Sequence, residues 1–140
     1  MEIRRLKSYT PQQFAELKLL MEELSERINL TEMELNQVIQ DENSRLYVLI
    51  DKGQIIGCAT LCLFHSPTGR KASIEDVVVS SIHRGKHLGR FIMSHLLKEA
   101  ECLAPIELHL TSKPKRVAAN TLYQSLGFIR KETNFYHLDL

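Results

Sequence analysis

The stretch from Ile74 to Arg90, IEDVVVSSIHRGKHLGR, constrains the fold of this chain more than any other. Its first half is β-branched and reads as a strand over residues 71 to 80, ending in Val77-Val78-Val79. A basic turn bearing two glycines follows and opens directly into a helix from about Leu88 to Glu101. The apolar face of that helix is Leu88, Phe91, Ile92, His95, Leu96 and Ala100. Ile106 to Thr111 then alternates, with Ile106, Leu108 and Leu110 on one face of another strand. Strand, helix and strand in this order predict a right-handed parallel crossover.

The flanking segments complete the sheet. Residues 2 to 8 form a first strand. Thr10-Pro11-Gln12-Gln13 has the chemistry of a helix start: a threonine cap, a proline in the first turn and a glutamine three residues on. Phe14, Leu17, Met21 and Leu24 follow at helical spacing. A second start lies at Thr31, with Glu34 closing a capping box and Leu30 and Leu35 as a hydrophobic staple. Leu46 to Ile50 and Ile55 to Phe64 form a hairpin around Asp51-Lys52-Gly53-Gln54. Pro114 opens a last helix that Gly127 ends at C′. Two strands, around Phe128 to Arg130 and Phe135 to Leu138, close the chain. The predicted order is β-α-α-β-β-β-α-β-α-β-β, an α/β fold with a mixed sheet and helices on both faces. At 140 residues, one domain spanning 1–140 is expected.

Composition narrows the function. The formal net charge is +1, with acids and bases interspersed, so no nucleic-acid partner is expected. The start, MEIRRLKSYTPQQF, lacks the apolar core of a signal peptide, and no apolar run is long enough to span a bilayer. A cytoplasmic protein with no membrane partner is expected. Cys58, Cys62 and Cys102 are odd in number and read as small buried hydrophobes, not as a disulfide framework. His83 and His87 have a ligand-like spacing, but Gly85 lies between them and no third ligand is evident, so no metal is expected.

The turn carries the chemistry. Free backbone N–H groups at a helix start, together with the helix dipole, make a site for an anion. Gly85 and Gly89 let a ligand approach the backbone, and Arg84, Lys86 and Arg90 add positive charge. Ligands of α/β sheets lie beyond the carboxyl ends of the strands, where this turn sits.

Arg84-Gly85-Lys86-His87-Leu88-Gly89 resembles the Arg/Gln-x-x-Gly-x-Gly/Ala signature of the GNAT superfamily of N-acetyltransferases, and IEDVVVS resembles its fourth strand. Asn120-Thr121-Leu122-Tyr123-Gln124-Ser125-Leu126-Gly127-Phe128 resembles its second motif, Asn-x-x-Leu-Tyr-x-x-Leu-Gly-Phe. The motifs cover about residues 44 to 140. The resemblance implies acetyl-coenzyme A as cosubstrate, with its pyrophosphate on the backbone of Arg84, Gly85, Lys86, His87, Leu88 and Gly89, beside Arg90. It implies that the pantetheine arm pairs with Val77, Val78 and Val79. It also implies a bulge in that strand, opening a V-shaped gap between the fourth and fifth strands. The family usually has glycine where this chain has His87. A protonated His87 contacting a phosphate would tighten coenzyme binding in mildly acidic solution.

The resemblance further implies direct acetyl transfer to an amine in a ternary complex. An alkyl ammonium must lose a proton first. Glu75 and Asp76 lie at the gap and, as consecutive strand residues, are expected on opposite faces. Glu75 is the first candidate base, because relatives with the same IEDVVV run place a glutamate there, and Asp76 is the second. A backbone N–H of Val77 to Val79 would stabilise charge on the thioester oxygen. Tyr123, one turn beyond Asn120, is the candidate acid for the departing thiolate. In the family the asparagine bonds the cofactor arm. Lys113, Lys115 and Arg116 would contact the adenosine end or simply be solvated.

The acceptor, a small molecule or a peptide amine, stays open. Glu22, Glu23 and Glu26 read as a solvated helix face that could also draw a cationic amine. Likeness to members that acetylate glucosamine 6-phosphate is confined to the cofactor strand and turn, so no sugar substrate is implied. Dimerisation is common in the family, and nothing in the sequence fixes a homodimer. A non-catalytic acyl-coenzyme A sensor or interaction module is the alternative reading. The presence of both Glu75 and Tyr123 favours the enzyme.

Overall fold

Local capping chemistry sets where the helices begin. In the computed structural model, which describes residues 1–140, strand β1 (Glu2–Arg5) leads to helix α1 (Pro11–Leu24). Thr10 Oγ1 accepts from the Gln13 backbone N–H at 3.2 Å, and Gln13 Oε1 accepts from the Thr10 N–H at 3.0 Å, the reciprocal box expected from the sequence. Helix α2 (Glu32–Gln40) starts with half of its expected box: Thr31 Oγ1 accepts from Glu34 N–H at 3.2 Å, without the return bond from Thr31 N–H to the Glu34 side chain. Then follow β2 (Ser44–Asp51), β3 (Gln54–Ser66), β4 (Gly69–Val79), a 3-10 turn at Ser81–His83, α3 (Leu88–Glu101), β5 (Glu107–His109) and α4 (Val117–Ser125).

The five strands form one mixed sheet in the order β1-β2-β3-β4-β5. The first three pairings are antiparallel, and β4 runs parallel to β5, as the strand–helix–strand pattern predicts. Parallel pairing is confined to Lys71–Ser73 against Glu107–His109. Pairing ends at Ser73, where β5 ends at His109, so β5 offers no partner to Val77–Val79.

Register assigns the faces. Val48 stands opposite Cys58, and Cys58 opposite Val78. All three belong to the core cluster with Leu17, Leu20 and Met21 of α1 and Leu35 of α2. Tyr47 stands opposite Ala59, one residue out of phase, and therefore faces the other way. There its hydroxyl donates to Glu99 Oε2 of α3 at 3.3 Å. A Cβ on Gly57 of this second face would lie 2.9 Å from Ile92 Cδ1, so α3 packs directly on the strand backbone. Helices thus cover both faces. The buried stripe of α3 is Leu88, Ile92, Met93, Leu96 and Ala100. Met93 takes the inner place that the sequence pattern gave to Phe91, which is 47% exposed.

Thr111–Leu140 forms a second compact unit, distinct from Met1–Leu110. Pro114 lies in a turn closed by Arg116 N–H to Lys113 O at 3.0 Å, and α4 begins only after it. The helix ends as predicted at Gly127, whose φ of +100° a side chain would resist. Gly127 N–H donates to Gln124 O and Phe128 N–H to Tyr123 O, each at 3.1 Å, which is the Schellman pattern. The ring of Phe128 meets that of Tyr123 edge-on at 6.2 Å, the hydrophobic contact that accompanies this cap. The two closing strands expected around Phe128–Arg130 and Phe135–Leu138 do not form. The unit holds no strand for them to join, and a lone pair of short strands is marginal in water.

Candidate active site

The most informative feature of the site is a bulge in β4. Glu75 pairs with Thr60 and Val78 with Cys58, so Asp76 and Val77 together oppose the single residue Ala59. Asp76 takes a left-handed backbone conformation, φ +53°, which aspartate tolerates better than most residues. Alternation breaks here, and Glu75 and Asp76 do not face opposite ways. Glu75 shares the face of its partner Thr60, which with Leu46 lies on the α1–α2 side. Asp76 lines a cavity on that same side, with Leu17, Met21, Leu30, Leu35, Val38, Leu46 and Thr60.

The two carboxylates differ in setting. Glu75 Oε1 accepts a 2.6 Å hydrogen bond from Ser73 Oγ and is exposed. Asp76 keeps solvent contact, yet its carboxyl is desolvated on the cavity side. That desolvation raises its pKa above the ordinary 3.8, and the negative charge of Glu75 raises it further. Beneath it, the buried Cys58 thiol leans on the Asp76 carbonyl oxygen at 3.8 Å, tying the bulge to β3. Burial, then the Asp76 charge, push that thiol up to about 12, so it stays protonated and inert. Cys62 is half-buried, its thiol raised by burial and then by Glu75, Asp76 and Asp41. Cys102 is exposed, contrary to the reading of all three cysteines as buried; all are free thiols.

The basic turn expected to bind an anion follows β4. Gly85 has φ +83° with open space where a Cβ would stand, so it serves the chain's direction and not its packing. His87 is the N-cap of α3, with φ +59° and ψ +24° and no side-chain cap bond. This is the conformation glycine adopts without strain, which accounts for glycine at this position in the family motif. From Leu88 onward the first turn of α3 presents N–H groups with no intrahelical partner. Lys86 and Arg90 flank them. Arg84 turns back: its Nε donates to Val79 O at 3.2 Å, and its guanidinium lies 4.0 Å from Glu23.

Sequence reasoning missed Glu23. Its carboxylate is not a solvated helix-face group. Oε2 accepts the Ser81 N–H and Oε1 the Ser81 hydroxyl, each at 3.0 Å. Helix α1 therefore grips the segment between β4 and the anion turn. Glu23 lies in the last turn of α1, and its neighbours in sequence carry no signal for such a role.

In the second unit, Asn120 and Tyr123 stand one turn apart on α4. Asn120 Nδ2 donates to Lys113 O at 3.0 Å and so shapes the loop ahead of the helix. Burial raises the Tyr123 phenol above its ordinary 10, with Arg116 acting in the opposite direction.

A five-stranded mixed sheet, a bulge in its fourth strand and a basic glycine turn leading into a helix match the fold of GNAT-type acetyltransferases. The sequence model of the acetyltransferase (GNAT) family matches residues 11–128, and the chain belongs to that family, whose members transfer acetyl groups from acetyl-coenzyme A. A Drosophila melanogaster protein named "Probable glucosamine 6-phosphate N-acetyltransferase" is 35% identical over 81 residues, 56% of this chain. The match spans 36% of that relative's length. Among solved structures, a Trypanosoma brucei acetyltransferase is similar with a TM-score of 0.78 and 26% identity, covering 99% of both chains. An aminoglycoside acetyltransferase from an uncultured soil metagenomic sample, solved with trehalose, has the same fold at a TM-score of 0.86 and 16% identity, over 99% of this chain and 95% of that one. No helix of the chain is long and apolar enough to cross a membrane.

Proposed function

We propose that the chain is an N-acetyltransferase that moves the acetyl group of acetyl-coenzyme A directly onto an amine, and that residues 1–140 act as one domain. The observation that carries this reading is the bulge at Asp76, which turns a carboxylate toward a cavity just before an unpaired strand edge. The residues present suit the coenzyme: Val77–Val79 have no β5 partner on one side, and the start of α3 offers N–H donors. Once bound, the thioester supplies an activated acyl carbon.

The chain's own groups do the rest. Backbone amides of Val77–Val79 would hold the pantetheine arm and would supply the N–H donors for charge on the thioester oxygen. The turn from Arg84 to Arg90 holds the pyrophosphate. Asp76 accepts the proton of the incoming ammonium, and the charge of Glu75 raises its proton affinity, so the pair acts as one base. A C–N bond would form as the C–S bond breaks, with Tyr123 giving its proton to the departing sulfur and the second proton lost by the nitrogen returning to the Tyr123 phenolate through solvent. The raised phenol pKa keeps that proton in place beforehand.

Coenzyme A release, measured from acetyl-coenzyme A against a panel of amines, amino acids, aminoglycosides and peptides, tests the reading. Turnover that falls at least tenfold in Asp76→Asn, with acetyl-coenzyme A affinity retained, is expected. Asparagine also tolerates the left-handed backbone, so the variant probes charge alone. Silence across the panel in protein that binds acetyl-coenzyme A would replace the enzyme with the sensor reading.

A further inference from the structure

Resting on the transferase reading, we infer that the acceptor is a primary amine on a short aliphatic chain, seated in the cavity that Asp76 lines. The cavity has a volume of about 70 Å³. Its walls are Leu17 and Met21 of α1, Leu30 of the α1–α2 connection, Leu35 and Val38 of α2, and Leu46 of β2. The polar lining is Thr60 and Asp76 alone. A single carboxylate in an apolar chamber matches an alkyl ammonium: the cation pairs with Asp76 and the tail lies among the leucines. The half-buried Leu30 and Val38 form the more adaptable part of the wall, against the nearly inaccessible Leu17 and Leu35.

Size sets the tail. A cavity of about 150 Å³ holds the six carbons of benzene, so one of about 70 Å³ admits two or three methylenes. A benzene ring, which fills a cavity of about 150 Å³, is too large. Charge sets the headgroup. No lysine, arginine or histidine lines the cavity, so a phosphorylated amino sugar would bring its phosphate to leucines and a carboxylate. The substrate in the Drosophila relative's name therefore does not suit this chamber.

The test is a chain-length series: methylamine, ethylamine, n-propylamine, n-butylamine, n-hexylamine, benzylamine and glucosamine 6-phosphate, each assayed for kcat/KM with acetyl-coenzyme A. The expected gain is about fourfold per methylene, the equivalent of 0.8 kcal/mol, ending after two or three. Benzylamine and glucosamine 6-phosphate should be at least tenfold poorer than the best alkylamine. Val38→Phe should end the gain at a shorter chain. A flat series, or preference for glucosamine 6-phosphate, overturns the inference and leaves the transferase standing. Calorimetric titration of the same alkylamines into the protein gives a second readout. Affinity rising with chain length supports the cavity even if coenzyme A fails to bind, which would sink the transferase alone. No alkylamine binding overturns the inference.

Discussion

Removing the carboxylate of Glu23 should loosen the coenzyme site from a distance. Glu23→Ala deletes two hydrogen bonds of 3.0 Å to Ser81 and a guanidinium contact at 4.0 Å. Hydrogen bonds to a charged group contribute about 1.5–3 kcal/mol each when shielded. Two features reduce that figure here. The Glu23 side chain is 32% exposed, and Ser81 is exposed, so water replaces the lost partner. The Arg84 side chain is 58% exposed, and its contact is worth at most about 1 kcal/mol. A total loss of about 1–2 kcal/mol follows. For a chain of this length that is a fall in Tm of roughly 3–8 °C. If the loss is confined to the segment leading into the turn, coenzyme A affinity weakens by up to the same free energy, about 5- to 30-fold. Glu23→Gln keeps one acceptor oxygen and should show about half of each effect. Thermal unfolding and calorimetric titration with coenzyme A measure both quantities. A Tm within 1 °C of the parent and unchanged affinity would refute the tether.

Asp76 has a pKa raised above 3.8 in the folded chain, so just above 3.8 the folded state holds a proton that the unfolded state has released. Stability then falls as pH climbs through the raised value; Asp76→Asn should be at least as stable as the parent at pH 7, with the difference vanishing below pH 3.8 in urea titrations. With Asp76 as the proposed base, turnover should fall with decreasing pH through the same raised value. Tyr123→Phe should lower kcat about tenfold or more while leaving acetyl-coenzyme A affinity within a few-fold; unchanged kcat removes Tyr123 from the reaction. His87→Gly relieves a left-handed residue and should raise stability by about 0.5–1 kcal/mol, and a lowered Tm would count against that strain.

What could be read from the sequence was what depends on neighbouring residues. Thr10 with Gln13, Gly127 as a C′ residue and the alternation of Ile106, Leu108 and Leu110 are local signals, and the structure has each of them. The family resemblance implied a bulge in the fourth strand, but its place and the facing of Asp76 were opaque because a bulge is a property of two strands: only the pairing of Glu75 with Thr60 and Val78 with Cys58 locates the extra residue. Glu23 and Ser81 are far apart in sequence, and nothing near either one encodes their meeting. The closing strands failed for a related reason. Phe135-Tyr136-His137-Leu138 has strand-like composition, but a strand is defined by its partner. The cavity needed α1, α2 and three strands at once, so the leucines that line it looked like any other core.

The left-handed backbone at Asp76 also bears on how this site can change over generations. Aspartate, asparagine and glycine hold that conformation cheaply, and β-branched or bulky residues do not. A substitution that removes the carboxylate while keeping the bulge is thus steered toward asparagine or glycine. Glutamate, with the same charge, has to distort the bulge to occupy it. A descendant that kept coenzyme binding and abandoned transfer would carry its history at this one position, legible as a single amide or a missing side chain.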